Sequence, residues 1–340
     1  MNWNFLSKYR AQLMGIAIIW VVLYHGNEYG MILPRPLDLV NFFLEKGRGG
    51  VDVFLLLSGL GLYYSFSKNS NIKKFYKKRV VRVVIPYLLI ATPFWILQDL
   101  ILDFNIISFI KNITLVSFWS EGYTRLWYFA LLLPLYLLFP LIYKWVFKDE
   151  NSNNAIRAFI LIGIVVALNC FIRYLWSDYY DQVEIALTRI PVFIIGVLLG
   201  KYAKEEKRIE VGEIVLIILV YSYRMYTYEY DISGMTVRYW YITLALVVCF
   251  VGAYFIEKWR KIFGNDIRLL VIAGKYSLEL YIIHVWIRNL FGRVDLNFVI
   301  NGIDWNRYGI LEYFMIIAVS CVLTMFFALI ENRLIFKERA

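Results

Sequence analysis

The stretch GIAIIWVVLYHGNEYG, residues 15–30, sets a run of large apolar side chains directly before a histidine and a glutamate. A helix needs about 20 mostly apolar residues to cross a bilayer, and this run approaches that length when it is extended back to Ala11. His25 is one of only two histidines in the chain. Glu28 follows three residues later, so in a helix the two side chains share one face.

Spacing alone leaves two interpretations of His25 open. Polar groups inside a bilayer are costly, so each one marks a candidate functional site. Glu28 would then hold one imidazole nitrogen and leave the other to act as a base. The alternative is a hydrogen-bonded histidine at the membrane interface that takes no part in chemistry.

The composition of the whole chain also indicates a membrane protein. Of the 340 residues, 61% are apolar and 18% are charged, whereas soluble domains are about half apolar and about a quarter charged. The three cysteines, Cys170, Cys249 and Cys321, each lie in an apolar run without a CxxC spacing, which argues against disulfide or metal sites. We therefore expect an all-α polytopic transmembrane helix bundle without a bound metal.

Ten apolar segments are long enough to be candidates for membrane-spanning helices, so the sequence predicts a bundle of about ten helices. No separate soluble domain or internal repeat interrupts them, and we take residues 1–340 as a single membrane domain. The segments are residues 11–29, 50–66, 80–100, 126–146, 156–176, 186–202, 211–228, 237–256, 273–291 and 309–331.

The distribution of basic residues predicts the orientation of this bundle. With ten spans and a cytoplasmic N-terminus, 24 of the 36 lysines and arginines fall in cytoplasmic segments. Cytoplasmic loops are enriched in these residues, so we expect both termini in the cytoplasm. The net charge of +10 is then explained by topology and contact with membrane lipid, and a nucleic-acid partner is not expected.

Polar residues in the second and third segments are further candidates. Asp52 and Ser58 lie within GRGGVDVFLLLSGLGLYYSF, residues 47–66; Ser58 is either a reactive hydroxyl or a packing residue bonded to its own helix. Arg79 and Arg82 lie at i and i+3, so together they are suited to bind phosphate groups bidentately. Plain positive-inside anchoring explains the neighbouring lysines, but it is a weaker explanation for the deeper Arg82.

The second histidine lies in the ninth segment, GKYSLELYIIHVWIR, residues 274–288. His284 is about 15 Å from Gly274 along a helix, near the middle of the membrane, and Tyr281 is on the same face. Two histidines and a pair of arginines indicate a polar interior with a phosphate-compatible site at the cytoplasmic side. A transporter and a transmembrane acyltransferase both fit these features.

Several stretches in a fixed order resemble the acyltransferase-3 family of bacterial integral membrane proteins, and together they cover about residues 10–290. Each stretch alone is a weak signal, because apolar runs match easily, whereas the ordered set is fairly specific. The stretches are GIAIIWVVLYH (15–25), GGVDVFLLLSG (49–59), FYKKRVVRVVIPYLL (75–89), LWYFALLLPLYLLFP (126–140), YSLELYIIH (276–284) and, more weakly, PVFIIGVLLG (191–200).

This resemblance implies an enzyme of the bacterial cell membrane that O-acylates a surface carbohydrate or glycan. The donor would be cytoplasmic acetyl-CoA or another acyl-CoA, and no fused extracytoplasmic domain is expected. His25 corresponds to the family's catalytic histidine. Arg79 and Arg82 correspond to its RxxR motif on the coenzyme A side. The further matches are Ser58 with Gly59, and Tyr281 with His284.

One departure from the family pattern concerns the first segment. Many members carry an arginine directly before the GIA-like tripeptide, where this chain has Met14. Arg10 lies four residues earlier, one turn away on the same face, so it is a candidate to supply this charge.

The mechanism that follows from the resemblance uses His25 as a general base on a sugar hydroxyl, or as a transient acyl carrier. Glu28 or Asp52 would orient the imidazole. Tyr281 or Ser58 would donate a hydrogen bond to the oxyanion. The alternative function is transport of a lipid-linked sugar or a small organic acid.

Overall fold

The computed structural model describes residues 2–29, 31, 35–148, 153–210, five positions between 212 and 219, and then 235–292, 299–300, 303–304 and 309–334. The described chain is almost entirely helical. Besides helices it contains a short antiparallel hairpin of Val299–Ile300 and Ile303–Asp304. The prediction of an all-α architecture is therefore confirmed.

Sixteen α-helices are described, and we number them in chain order. They are α1 Phe5–Lys8, α2 Arg10–His25, α3 Asp38–Glu45, α4 Gly50–Lys68, α5 Ile72–Arg79, α6 Ile85–Trp95, α7 Ile106–Ile113, α8 Val116–Glu121, α9 Trp127–Val146, α10 Asn154–Leu175, α11 Ser177–Leu187, α12 Ile190–Lys204, α13 Met235–Phe263, α14 Arg268–Lys275, α15 Ser277–Phe291 and α16 Gly309–Leu334.

Seven described helical stretches are long and apolar enough to cross a membrane, or eight if the bent pair α14 and α15 is one span. Eight of the ten predicted spans coincide with these stretches. The predicted span 11–29 corresponds to α2, which is a helix of 16 residues. The predicted span 211–228 lies almost wholly outside the described residues. The chain is thus a multi-pass membrane protein.

α5 and α6 belong to one helical stretch, Ile72–Leu102, which has one π-helical segment between them and a second at its end. The first, Val80–Val84, contains Arg82 and ends two residues before Pro86. Proline has no backbone N–H for the preceding turn, which disfavours regular α-helical bonding at this point. The π-helical segment accommodates this defect and carries Arg82, and such segments occur frequently at functional sites.

Glycines allow the central helices to pack with their backbones in contact. A Cβ atom on Gly196 of α12 would collide with the Leu56 carbonyl of α4, and one on Gly59 would collide with the Phe193 carbonyl. Such small-residue contacts are a common basis of helix packing in membranes, where burial of apolar surface gives no advantage over lipid. α4 and α12 are therefore fixed against each other.

α14 packs on α2 in the same way, because a Cβ atom on Gly274 would collide with the Ala11 carbonyl. The chain then bends by 74° before α15 begins at Ser277. Along α15, the residues Tyr281, His284 and Arg288 follow at spacings of three and four, so they share one face. The bend directs this face toward α2.

We name the two ends of the bundle by the residues they hold. The histidine end contains His25, at the carboxyl end of α2. The arginine end contains Arg10, where α2 begins, and Arg79, where α5 ends.

Candidate functional site

A cluster of polar side chains surrounds His25 at the histidine end of the bundle. After α2 ends, Gly26–Tyr29 form a short 3-10 turn that brings Glu28 back toward the ring. Nδ1 of His25 lies 3.0 Å from Oε1 of Glu28. The ring of His284, from α15, lies beside it with 5.8 Å between the two ring centroids. The only two histidines of the chain therefore form one site.

Arg288 completes the ionic part of this cluster. Its guanidinium lies 3.1 Å from Oε2 of Glu28 and also contacts Nδ1 of His25. Burial raises the pKa of the Glu28 carboxyl, but the hydrogen bond with His25 and the charge of Arg288 outweigh it and hold that pKa below its ordinary value. Glu28 is thus an anion at neutral pH. It can accept a hydrogen bond from Nδ1–H of His25, and in this tautomer Nε2 carries the lone pair of the base. Arg288 has only donors, so in this tautomer it acts on the ring through its ion pair with Glu28.

His284 is fixed by a tyrosine that sequence analysis did not identify. The hydroxyl of Tyr313 lies 3.3 Å from Nε2 of His284 and donates to the carbonyl of Val22. Because that hydroxyl proton is used, Nε2 of His284 must be the donor to Tyr313. Nδ1 then carries the lone pair, and this atom is buried without a hydrogen-bond partner among the described residues.

A cavity of about 500 Å³ lies toward the arginine end, and we call it the arginine cavity. Four cationic side chains line it, and no acidic residue is among the described residues that do so. A cavity of this kind is suited to hold an anion such as a phosphate group. Its charged residues are Arg10, Arg79, Arg82 and Lys275.

Arg10 reaches the arginine cavity from the first turn of α2. Its Nε donates to the carbonyl of Leu57 at 3.0 Å, and its guanidinium packs against Gly61. Met14, one turn further along α2, lines the same cavity. Arg10 thus brings a positive charge to the wall on which Met14 lies.

The arginine cavity also contains the hydroxyl groups that sequence analysis singled out. Ser58 from α4 and Tyr281 from α15 line it, together with Tyr128 from α9. Hydroxyl groups that line such a cavity are suitable donors to a developing oxyanion. Of the nine predicted site residues, the structure brings five together here.

Asp52 lies apart from both groups and has a different partner. Its Oδ2 accepts a hydrogen bond from Nε of Arg189 at 3.1 Å, and both side chains are almost fully buried. The guanidinium of Arg189 also lies over the ring of Trp127, with 4.8 Å to its centroid. Asp52 therefore does not orient His25 in this structure, and the expectation of that contact is corrected: the carboxylate links α4 to the start of α12.

Four site residues were missed by sequence analysis. Arg288 was visible as a residue four positions after His284, on the same helical face, inside a stretch already singled out. Lys275 lies in the same stretch but was visible only as one more basic residue. Tyr128 was visible only as one of several aromatic residues in the apolar run 126–140. Tyr313 had no signal, because its contact with His284 depends on how α16 packs against α15.

A known protein family and several curated proteins are similar to this chain. A family model described as an acyltransferase domain matches residues 13–330. Among curated proteins, the chain is similar to the O-acetyltransferase OatA of Staphylococcus aureus strains NCTC 8325, COL and MRSA252. Each is 24% identical over an alignment of 214 residues that covers 55% of this chain and 33% of the relative. The chain thus spans about a third of the length of these relatives. No solved structure matches it.

Proposed function

The chain belongs to the acyltransferase-3 family, since the family's domain model covers most of its length, and from this premise we propose that it is a membrane O-acyltransferase acting on carbohydrate. It would take an acyl group, most simply acetyl, from cytoplasmic acyl-CoA. It would transfer that group to a hydroxyl of a glycan outside the bacterial cell membrane. The family supports the acyltransferase activity, and the donor, the acceptor and the location are further parts of our proposal.

One observation carries the proposal: a single helix connects the two candidate sites. On α15, Tyr281 lines the arginine cavity, and His284, one turn further, lies against His25. One turn of helix corresponds to about 5 Å. A donor in the cavity and an acceptor at the histidines would therefore meet within one bundle.

The arginine cavity supports a coenzyme A donor through the chemistry of its charges. Arginine binds phosphate oxygens through two parallel N–H donors, and Arg79 and Arg82 share the wall that α5 and the following π-helical segment form. We propose that they bind the nucleotide phosphates, with Arg10 and Lys275 adding positive charge. The pantetheine arm would extend along the cavity toward Ser58 and Tyr281.

The basic residues of the loops support the orientation. The loop and helix that precede Arg82 are rich in lysine, which is typical of the cytoplasmic side. We therefore propose that the arginine end faces the cytoplasm, where acyl-CoA is made, and that the histidine end faces outward.

The histidine cluster supports general base catalysis. With Glu28 accepting from Nδ1–H, Nε2 of His25 would take the proton of the sugar hydroxyl as its oxygen attacks the thioester carbonyl. The carbon–sulfur bond then breaks, the acyl group remains on the sugar oxygen, and the coenzyme A thiolate leaves and is protonated. Ser58 and Tyr281 would donate to the oxyanion before that bond breaks.

The similarity to OatA supports the finer assignment. The relatives are described as O-acetyltransferases, so we propose an ester of acetate as the product here. The acceptor would be a hydroxyl of a surface glycan.

The experiment that tests this function compares ester groups on surface glycans from cells with and without the gene. We expect the deletion to remove a set of O-acetyl esters and the wild-type gene to restore them. His25→Ala should restore less than about 1% of them, since a general base contributes about 10²–10⁴-fold to the rate. Leu23→Ala, a truncation on the same helix outside the histidine cluster, is the matched control and should restore them.

Membrane levels of each variant are measured in parallel, so that loss of protein is distinguished from loss of activity. Full restoration by His25→Ala would contradict the catalytic role of this residue. An unchanged ester content in the deletion strain would contradict the proposed function as a whole.

A further inference from the structure

The arginine cavity ends at three aromatic rings. Phe54 of α4, Tyr128 of α9 and Tyr281 of α15 all line it, and each is about 95% buried. The centroids of the Phe54 and Tyr128 rings are 6.1 Å apart, and those of Tyr128 and Tyr281 are 5.3 Å apart. His284 follows Tyr281 by one turn but does not line the cavity. The three rings therefore lie between the cavity and the histidine cluster.

The backbones of α2 and α4 are in close contact beyond Phe54. One turn before Phe54, Gly50 of α4 packs on α2 so closely that a Cβ atom there would lie 2.7 Å from the carbonyl oxygen of Ala17. Gly47, one turn earlier, would place its Cβ atom 2.6 Å from the carbonyl oxygen of Trp20. α2 and α4 are thus in backbone contact beyond Phe54, and Phe54, Tyr128 and Tyr281 line the cavity beside that contact.

Other contacts hold the rings in place. The ring of Tyr128 lies 5.8 Å from that of Phe129. The ring of Phe129 lies 6.2 Å from that of Tyr281 and stacks on Tyr87 at 5.2 Å. Packed interiors of this kind accommodate an extra methylene group poorly, because neighbouring side chains must leave their preferred rotamers.

We propose that Phe54, Tyr128 and Tyr281 form an acyl-size filter, which accepts the two-carbon acetyl group and excludes longer linear acyl groups. This inference rests on the proposed function and narrows its donor to acetyl-CoA. Of the three rings, Phe54 is the main determinant of the acyl length that the cavity accepts. Phe54 has no hydroxyl group, so its ring restricts the space but cannot donate a hydrogen bond to the reacting thioester.

Binding of unreactive thioether analogues to the purified full-length protein tests the filter without knowledge of the acceptor. S-ethyl-CoA has nearly the shape of acetyl-CoA, and S-butyl-CoA is two methylene groups longer. We expect the wild type to bind S-ethyl-CoA at least about tenfold more tightly than S-butyl-CoA, since one methylene group in a tight pocket is worth about tenfold or more. Titration calorimetry measures both dissociation constants.

Phe54→Ala should abolish this preference or reverse it, because it removes a ring from the end of the cavity. The matched control is Phe66→Ala on the same helix. Phe66 is equally buried, packs on Phe75 and Phe139, and does not line the arginine cavity. The control should keep the wild-type preference. If Phe54→Ala fails to fold, Phe54→Leu removes less bulk and should reduce the preference about threefold.

The outcomes separate the filter from the proposed function. Equal affinities of the wild type for both analogues, or an unchanged preference in a folded Phe54 variant, would overturn the filter and leave the coenzyme A site standing. If the protein binds neither analogue and does not bind acetyl-CoA, the assignment of coenzyme A as the donor is wrong, and the filter is overturned with it.

Discussion

Arg288 explains how two histidines on distant parts of the chain come to act together. Its guanidinium contacts Nδ1 of His25 and pairs with Glu28, while its own helix supplies His284. The cluster is therefore held by an ion pair between α15 and the turn after α2. His25 and Glu28 were identifiable from their spacing, because i and i+3 residues meet on any helix. Arg288 could be assigned only once α15 was seen to pack on α2.

The proposed phosphate-binding role of Arg79 is tested by a change that keeps its charge. Arg79→Lys should raise the KM for acetyl-CoA about tenfold and change kcat little, because lysine cannot bind a phosphate bidentately. Lys77→Ala is the matched control: this exposed residue lies on the same helix and does not line the cavity. Steady-state kinetics with varied acetyl-CoA provide the measurement. A KM that stays at the wild-type value would argue that Arg79 only anchors α5.

The pair Asp52 and Arg189 allows a structural role to be separated from a catalytic one. Asp52→Leu should destabilise the protein by about 3–5 kcal/mol, because it leaves the buried Arg189 without its partner. The double variant Asp52→Leu with Arg189→Met removes both charges and should recover most of the stability and activity. Thermal unfolding and acyl transfer are measured on the same preparations. A double variant that is stable but inactive would show that Asp52 is needed for catalysis as well as for stability.

At the scale of elements, hydropathy predicted where most helices run but not how they are shaped. α4 and α9 coincide closely with their predicted spans, because each holds a long run of mostly apolar residues. The 74° bend before α15 was not predicted, since an average over about 20 residues does not register a change of direction at Tyr276. The π-helical segment at Arg82 was also not predicted, although Pro86 is a local reason for it.

The close packing of α4 and α12 makes a prediction at this scale. Gly196→Ala should lower stability by about 1–3 kcal/mol, because the added Cβ atom would collide with the Leu56 carbonyl. Gly163→Ala on α10 is the matched control. Nothing lies within 4 Å of the corresponding Cβ atom, and alanine is favoured over glycine in a helix by about 0.5–1 kcal/mol.

Thermal unfolding in detergent compares the two alanine variants with the wild type. The midpoint should fall for Gly196→Ala and stay the same or rise for Gly163→Ala. Equal midpoints would mean that the contact between α4 and α12 relaxes without cost.

At the scale of the whole molecule, the orientation in the membrane remains a prediction from charge distribution, and single cysteines test it. In a background with Cys170, Cys249 and Cys321 replaced, Leu39→Cys marks the histidine end and Asn71→Cys marks the arginine end. Leu39 is 80% exposed. A membrane-impermeant maleimide should label Leu39→Cys in intact cells and Asn71→Cys only after the membrane is opened. The reverse pattern would place the arginine cavity outside, where acyl-CoA is absent.

The bend that separates α14 from α15 has a consequence for the order of events. α14 is fixed to α2 through Gly274, whereas α15 carries both Tyr281 and His284 on one rigid rod. Since Tyr281, His284 and Arg288 lie on one continuous helix, a displacement of α15 would move all three residues together. The lining of the arginine cavity and the geometry of the histidine cluster are therefore coupled through a single helix, although the two sites lie at different depths in the bundle.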